Sequence, residues 1–113
     1  MKEEEFIDLL GRKCVIEVIL GVKDNPGCSK NNIIQREKAS SRTRMVRIEE
    51  LIACGIILPD ERTRQHQTIK LYLTPAGQEI ADHLQHTIEL AQNLPSLPEQ
   101  GEVVIMKKKK NAI

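Results

Sequence analysis

The 113-residue chain carries 17 Lys/Arg against 16 Asp/Glu, is 40% apolar, and has a single Phe and a single Tyr. That composition suits one hydrophobic core and is too small for two comfortable domains. It contains no run of about eighteen apolar residues and no basic-then-apolar leader ending in small residues, so neither a membrane span nor a secretory signal is expected, and the chain is assigned to the cytoplasm.

Charge is uneven along the chain. Residues 30–75 hold nine Lys/Arg against five Asp/Glu, whereas the segments on either side are slightly acidic. A local positive excess argues for an anionic partner, although solvated basic faces are also common on proteins that bind nothing. Cys14, Cys28 and Cys54 are odd in number and widely spaced, which fits reduced thiols better than a disulfide framework; Cys14 and Cys54 read as small core residues.

The first periodic segment places Phe6, Leu9, Leu10, Cys14, Val15, Val18, Ile19 and Val22 at helical spacing. Gly11 is a candidate break within it, and the Lys23–Gly27 cluster ends it. Ser29 has the chemistry of an N-cap for a short helix from Lys30 to about Glu37, with Ile33 and Ile34 as its apolar contribution. After the turn at Lys38-Ala39, Ser40 or Ser41 offers a second cap, and a helix over about 41–54 is stopped by Gly55. Two short helices around a tight turn form a helix-turn-helix candidate. In the second helix, Met45, Ile48, Leu51 and Ile52 form the expected buried face. This orientation turns Thr43 and Arg47 outward, flanked by Arg44 and Val46, with Arg42 in the first turn. Arginine can pair two donors with guanine O6 and N7, and Thr or Val can touch a thymine methyl, so Ser40, Ser41, Arg42, Thr43, Arg44, Val46 and Arg47 are the candidate DNA-reading residues. The alternative is a solvated helix balanced locally by Glu49 and Glu50. The DNA reading depends on Arg47 standing free of the rest of the molecule.

The period then falls to two. Ile56-Ile57-Leu58 leads into a polar run, and Thr68–Thr74 alternates Ile69, Leu71 and Leu73 against Thr68, Lys70 and Tyr72, as in a half-buried hairpin strand. A hairpin tip over 59–68 carrying Arg62, Arg64 and His66 would meet phosphate or the minor groove beside the reading helix. The string S-S-R-T-R-M-V-R-I-E-E-L-I-A-C-G-I-I, the charged hairpin and Y-L-T-P-A-G-Q-E-I together resemble prokaryotic winged-helix transcription regulators of the MarR and ArsR type, over about Leu9 to Leu94. The shared pattern falls on Leu51, Gly55, Ile56, Ile57, Leu73, Thr74 and Gly77. The resemblance implies a mainly α fold with a small β-hairpin wing in the order α-α-α-β-β-α, and sequence-specific binding of double-stranded DNA.

The last helix begins near Pro75 and places Ile80, Ala81, Leu84, Ile88, Ala91 and Leu94 on one side. This stripe, together with the resemblance, points to pairing of 75–94 with a second copy in a homodimer, against the alternative that it folds onto the chain's own first helix. His83, His86 and Glu89 have spacings that would suit a metal sensor of the ArsR type, but an ordinary polar helix edge is the simpler assignment, and no metal site is assigned. The winged domain is assigned to 1–94 and an appended tail to 95–113, broken by Pro95, Pro98 and Gly101 and ending in Lys107–Lys110 before Asn111. Without a phosphate loop, HExxH, paired Cys motif or nucleophile elbow, no catalytic role or cofactor is expected. The competing class is a winged-helix module that binds another protein.

Overall fold

Gly11 does divide the first periodic segment: α1 spans Glu3–Leu10 and α2 spans Val15–Asp24. The chain enters α2 through Cys14, a buried residue held in the left-handed region at φ 72°. The computed structural model describes residues 1–34, 41–60 and 69–98. Onward from α2 come β1 (Cys28–Ser29), α3 (Lys30–Ile34), α4 (Ser41–Ala53), β2 (Ile57–Asp60), β3 (Lys70–Leu73) and α5 (Pro75–Ala91). The expected α-α-α-β-β-α order therefore gains a helix at the Gly11 break and a two-residue strand, β1. That strand is too short to register as a periodicity.

Helix α2 is the spine. Its Val15, Val18, Ile19 and Val22 are fully buried, and it packs against α4, α5 and β3. Around them close Ile33 of α3, Ile48 and Leu51 of α4, Ile56 and Ile57 at the start of the hairpin, Leu71 of β3 and Ala81 of α5. Burial of each large aliphatic side chain contributes about 1.5–3 kcal/mol, so this cluster fixes which face of every helix turns inward. The sheet is antiparallel in the order β1-β3-β2, with Cys28 opposite Leu71 and Ile57 opposite Leu73. The expected inward side of this segment is only partly covered: Leu71 is buried and Leu73 half-buried on β3, but Ile69, just before the strand, is 38% exposed.

Ser29 caps α3 reciprocally. Its Oγ accepts from the Asn32 amide at 3.1 Å, and its own amide donates to Asn32 Oδ1 at 2.9 Å.

The L-x-x-x-G-I-I and Y-L-T-P-A-G motifs meet at one junction. Helix α4 ends at Gly55, at φ +85°, with the amides of Gly55 and Ile56 donating to the carbonyls of Ile52 and Leu51. This is a Schellman ending, and its apolar partners Leu51 and Ile56 are both buried. Thr74 then joins this turn to α5: its hydroxyl donates to the Gly55 carbonyl at 2.6 Å and accepts from the Gly77 amide at 2.9 Å, while its amide donates to the Ile56 carbonyl at 3.0 Å. Pro75 occupies the first helical turn, where a missing N–H costs nothing. Gly77 has to be glycine for a steric reason, because a Cβ there would overlap the Ile56 carbonyl oxygen.

Candidate nucleic-acid interface

Helix α4 buries Arg44, Ile48 and Leu51 and leaves Ser41, Arg42, Val46, Glu49 and Ala53 exposed. At about 100° per residue, Arg42, Val46, Glu49 and Ala53 share a sector of about 60°, opposite the buried set. The inward face is thus rotated from the expected one. Ile48 and Leu51 are core as expected, Met45 and Ile52 are only half-buried, and Arg44 completes the buried face between Leu51 and Ile48.

Arg44 is therefore a correction to the expected reading set. It is 1% exposed and donates from Nη2 to Glu17 Oε2 at 3.0 Å, across from α4 to α2. Its aliphatic stem packs like a core side chain while the guanidinium reaches a carboxylate at the protein edge, where Glu17 is 56% exposed.

Arg47 is a second correction, and the more consequential one: it is not the free groove-reading arginine expected, and a DNA-binding reading has to rest instead on the fold and on the residues of α4 that do face out. Its side chain is only 19% exposed; Nε donates to the Lys13 carbonyl at 2.9 Å and Nη1 to Glu50 Oε1 at 2.7 Å. The other oxygen of Glu50 pairs with Arg12, which also donates to Asp8 Oδ2 at 2.7 Å. A continuous chain of charge thus runs from α1 through Arg12 and Glu50 to Arg47. The hydrogen bond that Arg12 donates to Asp8, followed by the negative field of Glu50, raises the Arg12 pKa above its ordinary value. Thr43, expected outward, is half-buried.

The members of the expected set that face out are Ser41, Arg42 and Val46, the last 44% exposed. Ser40, Arg62, Arg64 and His66 lie outside the described residues. The alternative weighed from sequence has Glu49 and Glu50 balancing the helix through local pairs; Glu50 does pair locally with Arg47, but Glu49 Oε2 accepts from Lys30 Nζ at 2.8 Å, joining α4 to α3, a partner the sequence did not suggest. The signal for the outward placement of Glu49 was available, since 42, 46 and 49 follow i, i+4, i+7 spacing, but it becomes visible only once Arg44 is taken as core. On β3, Lys70 is exposed opposite both Ser29 and Asp60, in the last strand pair before the hairpin's connection.

On α5, Ala81 is fully buried against the chain's own core, where α5 packs on α2. It is therefore not available to a second copy, and this end of the stripe follows the alternative in which α5 folds onto the chain's own helix. Ile80, Leu84 and Ile88 are half-buried, whereas Ala91 and Leu94 are exposed, Leu94 at 68%. His83, His86 and Glu89 lie exposed, and among the described residues no three metal-ligating side chains converge. No helix among them is long and apolar enough to cross a membrane.

No protein-family model matches the chain, and no curated protein does. Solved structures do. A possible HxlR family transcriptional factor from Thermoplasma volcanium GSS1 is 24% identical, with a TM-score of 0.62 over 82% of this chain and 88% of that one. The reduced form of the transcriptional regulator YodB from B. subtilis is 18% identical, with a TM-score of 0.68 over 83% and 94%. A putative MarR family transcriptional regulator from Listeria monocytogenes, complexed with 26mer DNA, is 19% identical, with a TM-score of 0.66 over 96% and 73%. With its mostly helical build, its small antiparallel sheet and these neighbours, the chain has the winged helix-turn-helix fold.

Proposed function

We propose that the protein is a transcription regulator that binds duplex DNA, with α4 in the major groove and the hairpin on phosphate or in the minor groove. The observation that carries this reading is the outer face of α4: Ser41, Arg42 and Val46 stand exposed near its N-terminal end while Arg44, Ile48 and Leu51 lock the opposite face into the core. A helix so anchored can enter a groove without rearranging, and recognition helices lead with their N-terminal residues. The Listeria monocytogenes structure, complexed with DNA, supports the same use of the fold. Arg62, Arg64 and His66 remain the proposed wing contacts, on composition.

The regulator acts as a cytoplasmic homodimer in this reading, paired through the outer part of α5. Leu84, Ile88 and Ala91 form that surface, with Leu94, 68% exposed, three residues beyond the end of the helix. Two reading helices related by a twofold axis would match half-sites about one turn of DNA apart.

Selection of fragments from random duplex DNA by the full chain tests the proposal. Recovery of a shared, pseudo-palindromic motif is the expected result, and failure to retain any duplex at low salt overturns it. Leu58, 54% exposed on β2, together with Val46 favours a protein-binding module as the second reading. Such a module would hold its partner with little dependence on salt, in contrast to phosphate contacts.

A further inference from the structure

We propose that Arg42, Val46 and Glu49 form a reading strip that selects, in that order along α4, a guanine, a pyrimidine bearing a C5 methyl, and a cytosine. The inference rests on the DNA-binding reading above; it keeps Arg42 and Val46 from the set the sequence suggested and adds Glu49 in place of Thr43, Arg44 and Arg47. The three side chains lie on one exposed line at i, i+4 and i+7. Seven residues of helix cover about 10 Å, which equals about three base-pair steps.

Each member offers different chemistry. Arg42 presents paired N–H donors that suit guanine O6 and N7. Val46 has only methyl groups to offer, and these suit the thymine methyl. Glu49 presents acceptors only, which suit the cytosine N4 amino group. An acid facing DNA would ordinarily be repelled by phosphate. Here Lys30 Nζ lies 2.8 Å from Glu49 Oε2, which neutralises the carboxylate locally and holds it in place while leaving acceptor capacity for a base. Lys30 is thus a positioning residue. The other two arginines of α4 whose side chains are described fall outside the strip: Arg44 is in the core, and Arg47 is held at the Lys13 carbonyl and Glu50.

The test repeats the random-duplex selection with the unsubstituted chain and with Val46→Ala and Glu49→Gln, both at exposed positions and both checked for an unchanged thermal melt. Glu49→Gln should shift one motif position from cytosine towards adenine, because an amide pairs with adenine N6 and N7. Replacing the selected thymine by deoxyuridine should weaken binding of the unsubstituted chain about fourfold, the value of one buried methyl, and should leave Val46→Ala unaffected. If both variants recover the original motif unchanged, the strip assignment is overturned while DNA binding stands. A uniform rise in affinity for Glu49→Gln with no change of base also overturns it, since Glu49 would then be only a repulsive charge. Failure of the unsubstituted chain to enrich any duplex removes the DNA reading itself.

Discussion

Arg44 shows how a charged side chain can serve as core. Its stem fills space between α4 and α2, and Glu17, being largely exposed, can regain water if the arginine is removed. Packing, not charge, should therefore dominate the cost. Arg44→Met is expected to lose less than about 1.5 kcal/mol in urea unfolding. Arg44→Ala, which leaves a cavity, should lose about 2–4 kcal/mol. Equal losses would mean that the ion pair carries the energy. Arg47→Ala is the complementary case: loss of its bonds to the Lys13 carbonyl and Glu50 should cost about 1 kcal/mol of stability and leave base preference unaltered in a duplex selection. These two arginines are also where sequence reading failed. Ile48 and Leu51 were legible as core because an aliphatic residue has one favourable environment, whereas an arginine has two, and only the position of Glu17 and of the Lys13 carbonyl decides between them.

At the scale of elements, the junction of α4, the hairpin and α5 was the most legible part of the molecule. Its motifs encode backbone geometry that few other residues can adopt. Gly55 is needed for its left-handed φ, with nothing within 4 Å of a Cβ there, so Gly55→Ala should cost only the conformational strain, about 1–2 kcal/mol. Gly77 sits in an ordinary helical turn, but its substitution would displace the Ile56 carbonyl, so thermal unfolding of Gly77→Ala should show the larger loss, beyond about 2 kcal/mol. Thr74→Ala removes a cap and a hydroxyl donor together and should cost about 1–2 kcal/mol, most of it restored by Ser. By contrast, β1 was not legible. Two residues carry no alternation, and Cys28 and Ser29 become a strand only because β3 offers its free edge to them.

For the whole molecule the decisive variable is salt. If about six phosphates are engaged across the interface, affinity should fall on the order of a thousandfold between 50 and 200 mM salt, as counterion release loses its entropic advantage. A flat response in a filter-binding titration would favour the protein-binding reading. Leu94→Glu, just beyond the C-terminal end of α5, should convert a dimer to a monomer in light scattering without lowering the melting temperature, since Leu94 is 68% exposed in the single chain. The junction described above bears on how such a pair would work. Because Gly55 and Ile56 are bonded at once to the end of α4 and to Thr74, the N-cap of α5, these parts share a rigid pivot. Any tilt introduced where two copies meet would then swing both reading helices as levers, so distance between half-sites would be set far from the DNA, by the angle at which the long helices cross.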